Sequence, residues 1–236
     1  KKEQLAWFWE FLTEIIKLPK EKLYVTVFAG TKEIPADDES YKTWRELGIP
    51  ETKIFKYKGN WWSRAGAPNQ MPSGEPGGPD SEVFYEFTQI PHDKKFGDKC
   101  HPNCECGRFL EIGNCVFMQY KKTDKGFKDL PKKNVDFGGG LERILTASNN
   151  NPDVFKIDVF YPIIKTIEKE SGVKYSDNQQ AMQVITDHLK ASVFMALENI
   201  EPNKKDRGYV MRRLIRRSVV KMLEINSQIV KFENLK

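Results

Sequence analysis

A short stretch near the middle of the chain combines residue types that could do chemistry. Asp136, three consecutive glycines and Arg143 fall within residues 136–143. The β-branched Val135 leads into glycines, which tolerate positive φ and let a ligand approach the backbone, and Leu141 begins a run of good helix formers. The spacing predicts a strand, a tight turn and a helix start that present Asp136 and Arg143 beside exposed backbone. An ordinary strand-to-helix turn is the alternative, although three glycines exceed what such a turn requires.

A second stretch is strongly basic. Between residues 203 and 221 the chain has eight basic residues and one acid, Asp206. On a helical wheel the apolar residues share one side and the arginines the other. Arginine donates paired hydrogen bonds to phosphate, so a phosphodiester backbone is the predicted partner. The alternatives are a solvated helix face, which normally mixes charges, and an acidic membrane surface, which is disfavoured because the apolar side lacks aromatic residues. The basic residues are Lys204, Lys205, Arg207, Arg212, Arg213, Arg216, Arg217 and Lys221.

Three thiols and an imidazole are concentrated in a third stretch. Cys100, His101, Cys104 and Cys106 lie within seven residues, and Cys115 stands apart. In a reducing compartment such a tract indicates a metal more than a disulfide, and thiolate and imidazole are ligands of tetrahedral zinc. A structural zinc site is therefore predicted, with metal-free thiols in a loop as the alternative.

Composition limits the class of protein. The chain has 236 residues, 39% of them hydrophobic and 30% charged, which predicts a soluble globular protein with one large and one small domain. No run approaches the 18 apolar residues of a membrane span, and the charged, Trp-rich start is unlike a signal peptide, so no membrane partner and a cytoplasmic location are expected. The net charge of +5 is too small to indicate nucleic acid by itself.

Periodicity places these stretches on an α+β scaffold. A helix from Leu5 to Ile16 is predicted to end before Pro19, and Asp37 is predicted to cap a short helix. Predicted strands cover residues 23–28, 54–57, 82–87 and 108–120, and residues 59–79 are predicted to be loop. Because no regular βαβ alternation appears, the sheet is predicted to be antiparallel. The pattern becomes helical after residues 149–152, so domains are predicted over 1–150 and 151–236.

Five blocks, in order along the chain, carry a resemblance to a known family. They are Asn60-Trp61-Trp62, Gly78–Tyr85, Glu111–Gln119, Val135–Leu145 and Arg207–Arg217, the last preceded by Asp187-His188. Together they resemble alanyl-tRNA synthetase, a class II aminoacyl-tRNA synthetase, with Val135–Leu145 in the place of its motif 3. The resemblance implies a class II antiparallel sheet flanked by helices over 1–150, the later part of the catalytic domain. It implies the start of an all-α domain that recognises the tRNA acceptor stem over 151–236.

The resemblance also implies a reaction. The alanine carboxylate attacks the α-phosphate of ATP, with Mg²⁺ as cofactor, and the terminal ribose of tRNA(Ala) then takes the acyl group from alanyl-adenylate. No side-chain nucleophile is needed, because positioning and charge neutralisation supply the catalysis. Two rival hypotheses are a non-catalytic RNA-binding relative that kept the scaffold and a general basic adaptor.

Individual roles follow from the same resemblance. Asp136 is implied to hold the ammonium group of alanine, and Gly138 to let the backbone approach it. Trp62, Asn114 and Val116 are implied to line the side-chain pocket. The implied ATP-binding residues are Gly140, Arg143 and Glu111, the last also a Mg²⁺ ligand. The implied tRNA-binding residues are Asn203, Lys204, Arg207, Arg212, Arg213, Arg216 and Arg217.

The chain departs from the family pattern in several places. Gly113 replaces a common Trp and Phe137 a common Thr, and either change is expected to reshape the pocket. Lys204 stands where the base-reading Asn is common, and Asn203 is one residue early. Motifs 1 and 2 are expected before Lys1, and the editing and C-terminal domains after Lys236. Residues 1–236 alone are therefore expected not to aminoacylate tRNA.

Overall fold

A computed structural model describes residues 1–227 and divides the chain into two compact units, Lys1–Pro152 and Asp153–Lys236. The helices of the first unit are α1 (Lys2–Glu10), α2 (Asp38–Glu46) and α3 (Leu141–Ser148). Its strands are β1 (Leu23–Phe28), β2 (Ile54–Tyr57), β3 (Trp61–Ser63), β4 (Pro76–Glu86), β5 (Phe109–Thr123) and β6 (Gly126–Gly139). The helices of the second unit are α4 (Tyr161–Ser171), α5 (Gln179–Leu197) and α6 (Asp206–Ile225).

The first unit is built on a six-stranded sheet in the order β2-β1-β4-β5-β6, with β3 pairing beside β4. All pairs are antiparallel except β1 with β2, where Val25 lies opposite Ile54 in a parallel ladder. The α+β prediction is confirmed, but the sheet is mixed, so the prediction of a wholly antiparallel sheet is wrong for this pair. The reason is that α2 connects β1 to β2, and a crossover helix returns the chain in the same direction.

The predicted loop over residues 59–79 is also partly wrong. Trp61–Ser63 forms β3, in which Trp61 lies opposite Pro79, and β4 already begins at Pro76. Three residues are too few to show an alternating pattern, and their partner lies in the same Gly- and Pro-rich tract. The strand therefore depends on pairing that local sequence does not reveal.

The main core lies between α1, α2 and one face of the sheet. Leu5, Phe8 and Leu12 project from α1 and its π-helical continuation into this core, and all are at most 3% exposed. The predicted cap of α2 is confirmed, because the Asp37 side chain accepts a hydrogen bond from the Ser40 backbone N–H at 3.2 Å. This packing leaves the other face of the sheet for polar groups.

The second unit has a smaller core of its own. Ile164 and Ile167 of α4 pack with Met182 and Ile185 of α5, and Met222 of α6 packs against them. None of the helices described over residues 1–227 is long and apolar enough to cross a membrane.

Candidate functional site

Six residues on three adjacent strands of the sheet define a polar face. Directly opposed residues share a face, and residues two apart on one strand share it as well. One row across the sheet is Asp80 on β4, Val116 on β5 and Asp136 on β6. The next row is Glu82, Asn114 and Gly138. The polar face thus brings together four residues assigned to the alanine pocket from sequence: Asn114, Val116, Asp136 and Gly138.

A β-bulge brings Glu111 to this face. Val83 pairs with Gly113, but Phe84 pairs with Glu111, so Ile112 is an extra residue in β5. The bulge reverses the side-chain alternation of β5 on the N-terminal side of Ile112, and Ile112 itself is fully buried in the core. Glu111 is consequently close enough to Asp80 for its charge to affect that carboxyl.

Arg143 and Glu111 meet beside the polar face. The Arg143 guanidinium donates to the Glu111 carboxylate at 2.9 Å and to the Glu111 carbonyl oxygen at 3.2 Å. Both side chains are partly exposed, at 50% and 34%. Arg143 lies in the first turn of α3, whose N-cap is Gly140. The three residues predicted to bind ATP therefore lie together, with two charged groups open to solvent.

The glycine stretch does not form the predicted tight turn. Gly138 and Gly139 are the last residues of β6, and none of the three glycines has a positive φ. The reason is that β6 keeps pairing with β5 up to the opposition of Gly139 and Gly113. A Cβ at Gly138 would meet nothing within 4 Å. Absence of a side chain there leaves bare backbone on the polar face, as the predicted approach of a ligand requires.

An amide and two acids form a hydrogen-bonded cluster that the sequence did not single out. The Asn60 amide nitrogen lies 2.7 Å from Thr26 Oγ1, 2.9 Å from Asp80 Oδ1 and 2.8 Å from Glu82 Oε2. Burial raises the pKa of Asp80 to about 7, and the negative charges of Glu82 and Glu111 add to it, while hydrogen bonds from Asn60 and Asn114 oppose it. Burial likewise raises the pKa of Glu82. The sequence signal that could have identified this cluster is the i, i+2 spacing of the acids Asp80 and Glu82 in a strand.

The Asn114 side chain carries a buried acceptor. Its Oδ1 atom is inaccessible to solvent and has no hydrogen-bond partner among the described residues. Leaving such an oxygen unpaired costs free energy, about 1–3 kcal/mol, unless a ligand donates to it. Asn114 lies between Glu82 and Gly138 in its row. A donor that entered the polar face at this position would satisfy its Oδ1 atom.

Trp62 borders this region at β3. It lies opposite Gly78 of β4 and is 39% exposed. A Cβ on Gly78 would collide with the Phe117 carbonyl group of β5. Only glycine permits this close approach of β4 to β5.

Gly113 and Phe137 do not lie on the polar face. A Cβ at Gly113 would stand 2.5 Å from the Phe8 ring of α1. The Phe8 and Phe137 rings meet edge to face with centroids 4.8 Å apart. Strand alternation turns both side-chain positions toward α1, so neither lines the polar face directly, and the expectation that they reshape the pocket stays a prediction.

The thiol cluster has a different histidine from the one predicted. The ligand atoms of His92, Cys100, Cys104 and Cys106 all lie within 4.8 Å of one another. His101 is not among them, because its Nδ1 atom faces the Tyr57 hydroxyl at 3.1 Å. Burial opposes ionisation of Cys106, but hydrogen bonds with His92, the Arg108 backbone and neighbouring thiols lower its pKa to about 6. His92 was missed because it precedes the first cysteine by eight residues.

The basic side of α6 is open to solvent. Arg207, Arg213, Arg216 and Arg217 are exposed and Arg212 is half-buried. Arg213 and Arg217 line a groove of about 260 Å³ together with His188, Val210 and Leu214.

Asn203 and Lys204, which were predicted to contact tRNA, lie just before α6. The Asn203 side-chain oxygen Oδ1 accepts from the Lys205 backbone N–H at 2.7 Å, and the Asn203 side-chain amide donates to the Glu201 carbonyl oxygen at 3.4 Å. Both residues are exposed, and the Asn203 side chain stabilises the turn through these two hydrogen bonds.

A mixed sheet with a polar face of opposed acids, an amide and bare glycine backbone, followed by a basic helical unit, defines a class II synthetase type of scaffold. Residues 1–235 match the family of class II (A) tRNA synthetases. The chain belongs to this family.

Similar proteins support a narrower relationship. The chain is 40% identical over 228 residues to an alanine–tRNA ligase of Petrotoga mobilis, covering 93% of the chain and 24% of that protein. It is 40% identical over 220 residues to one from Borreliella afzelii, covering 89% and 35%. It is 40% identical over 231 residues to one from Treponema denticola, covering 93% and 36%. The predicted resemblance to alanyl-tRNA synthetases is confirmed, and the chain spans between about a quarter and just over a third of the length of these relatives.

Proposed function

We propose that the chain forms part of the alanine- and ATP-binding site of an alanine–tRNA ligase and, through α6, part of its tRNA-binding surface. The observation that carries this proposal is the polar face itself. It places a carboxylate, an unpaired buried amide oxygen and bare backbone in two adjacent rows of three strands. These are the groups that a small amino acid requires.

The amino acid is held by charge and selected by space. Asp136 supplies the anion for the ammonium group, and the Asn114 Oδ1 atom supplies a further acceptor. Gly138 leaves backbone without a side chain, and Val116, which is 6% exposed, provides a small apolar surface between the two acids of its row. Trp62 closes the pocket from β3. A larger amino acid would have to displace this wall.

ATP is bound beside α3. Arg143 is oriented toward the α-phosphate region by its ion pair with Glu111, and Gly140 leaves the start of α3 accessible to phosphate. Glu111 has a hard oxygen ligand suited to Mg²⁺, which when bound would neutralise the charge that develops on the phosphates. The chain's own residues act by positioning the carboxylate and the α-phosphate and by offsetting charge. No side chain of the polar face is required as a nucleophile.

The acceptor stem of tRNA is bound by the basic side of α6. The exposed arginines donate to backbone phosphates, and the exposed Lys204 side chain precedes the helix. Asn203 has a structural part, since its side chain is bonded within the turn. Lys204 is therefore the residue of this pair proposed to contact the tRNA.

Alanine-dependent exchange of pyrophosphate into ATP tests the catalytic part, measured on the natural gene product that contains these residues. We expect Asp136→Asn to lower kcat/KM for alanine by about 10²-fold or more, because it removes the charge that faces the ammonium group. Asp129→Asn is the matched control, since Asp129 is an exposed acid on the same strand. Equal rates for both variants, or no exchange with alanine in the wild-type protein, would refute the proposal and favour the non-catalytic RNA-binding relative.

A further inference from the structure

The connection between β4 and β5 carries a cluster whose geometry is not used by the polar face. Cys100 Sγ lies 3.5 Å from Cys106 Sγ, and Cys104 Sγ lies 3.7 Å from His92 Nδ1. Zinc bonds of about 2.3 Å to sulfur and 2.0–2.1 Å to nitrogen, at tetrahedral angles, place ligand atoms roughly 3.5–3.8 Å apart. The two measured separations match this requirement. A disulfide needs sulfurs about 2.05 Å apart, so the two thiols are not bonded to each other.

The second nitrogen of His92 supports the same conclusion. Its Nε2 atom lies 2.8 Å from the Gly97 carbonyl oxygen. A carbonyl only accepts, so this contact places a proton on Nε2, and in the neutral ring the Nδ1 lone pair then faces the Cys104 thiol. A ring N–H donated to a backbone carbonyl is the usual outer-shell arrangement of a metal-bound histidine.

We propose that His92, Cys100, Cys104 and Cys106 bind one zinc ion in a closed tetrahedral site. All four positions are taken by protein atoms, and no position is open to substrate, so the site is structural. The site is separate from the polar face and does not depend on the proposed function.

The site closes a long connection between two strands. Near its ends the Arg108 guanidinium donates to the Glu86 carboxylate at 2.7 Å and to the Ile90 carbonyl oxygen at 3.0 Å. Zinc adds a link from His92 to Cys106, two residues before Arg108. The loop between β4 and β5 is thereby fixed immediately before Glu111 enters the polar face.

The chain offers a matched pair of histidines for the test. Purified protein of residues 1–236 would be saturated with zinc, dialysed and analysed for bound metal, and zinc affinity would be measured by chelator competition. We expect one zinc per chain in the wild-type protein and in His101→Ala, whose ring faces Tyr57. We expect His92→Ala to weaken zinc affinity by more than about 100-fold, since even outer-shell changes cost roughly 10- to 100-fold.

Cobalt substitution tests the site in the wild-type protein and does not depend on the folding of a variant. Wild-type protein loaded with Co²⁺ is expected to show the visible ligand-field bands of a tetrahedral thiolate site and sulfur-to-metal charge transfer. Cys115→Ser should leave both unchanged, because Cys115 lies in the sheet core. Absence of tightly bound zinc, an octahedral cobalt spectrum, or equal loss of affinity in His101→Ala and His92→Ala would each overturn the proposal.

Discussion

Asp80 has a carboxyl whose ionisation opposes folding. Its pKa is about 7 in the folded chain because the group is buried beside Glu82, against about 3.9 in an unfolded chain. As pH rises between these values, the unfolded state releases its proton first, so this residue makes the protein progressively less stable. Above about pH 7 both states are ionised and the loss is complete.

Asp80→Asn should therefore stabilise the protein increasingly with pH. We expect the variant's free energy of unfolding, relative to wild type, to increase by roughly 2–4 kcal/mol between pH 4 and pH 8, at about 1.4 kcal/mol per pKa unit. Urea denaturation across this range measures the difference. Asp129→Asn, an exposed acid on β6, should show no such trend. A difference between Asp80→Asn and wild type that does not vary with pH would contradict this prediction.

Two glycines on adjacent strands should respond in opposite ways to the same substitution. Gly113→Ala places a methyl group 2.5 Å from the Phe8 ring, and overpacking of a filled core typically costs about 1–3 kcal/mol. Gly138→Ala meets nothing within 4 Å and should be neutral or stabilising by up to about 1 kcal/mol. Denaturant midpoints at a single pH test both, and a large loss of stability in Gly138→Ala would show that the polar face is not open there.

The same Gly138→Ala variant separates folding from substrate use. If alanine lies against this backbone, the added methyl group should raise KM for alanine about tenfold or more in the pyrophosphate-exchange assay, while stability is kept. An unchanged KM would place the amino acid elsewhere on the face.

At the scale of the element, α6 should bind RNA through phosphate charge. Replacing Arg213 and Arg217 by Gln removes two cations that line the groove beside His188. We expect weaker binding of a tRNA acceptor-stem duplex. We also expect the slope of log K against log[salt] to become shallower by roughly one to two units, taking the value of about 0.9 per phosphate contact for a B-form duplex. Lys165→Gln with Lys169→Gln on α4 is the control with the same change in charge. An equal reduction in both double variants would indicate a non-specific effect of net charge.

Elements with local signals were predictable from the sequence. The strands over 23–28 and 54–57 and the cap at Asp37 match the structure residue by residue, because alternation and capping are encoded within a few positions. The strand β3 was missed, and the direction of β2 was wrong, since both depend on partners distant in sequence.

The site was predictable where the residue type itself is unusual. Asp136, Gly138 and Arg143 were found from the sequence. Their proximity to Asn114 and Glu111 followed only from the resemblance, and the strand register and the Arg143–Glu111 ion pair now show it. The exchange of His101 for His92 was not predictable, because a turn and a contact with Tyr57 decide which ring faces the thiols. Phe8 filling the space above Gly113 is likewise a contact between elements that no local pattern records.

At the scale of the whole molecule, the two units should lose structure at different denaturant concentrations. All five tryptophans lie in Lys1–Pro152, which also has the larger core, whereas helices of Asp153–Lys236 share a small one. Tryptophan fluorescence should report only the first unit, and far-ultraviolet circular dichroism both. We expect part of the helical signal to disappear at lower urea than the fluorescence change, and coincident transitions would show one cooperative unit instead.

The bulge at Ile112 has a consequence for how this chain tolerates mutation in length. Inserting one residue between Val83 and Phe84 of β4 would give Ile112 a partner and make the ladder regular, with every backbone group able to pair. Yet strand alternation would then turn Leu110 toward the acids and Glu111 toward the hydrophobic interior. In this strand an irregularity preserves the chemistry, and a mutation that improves the geometry would destroy the site.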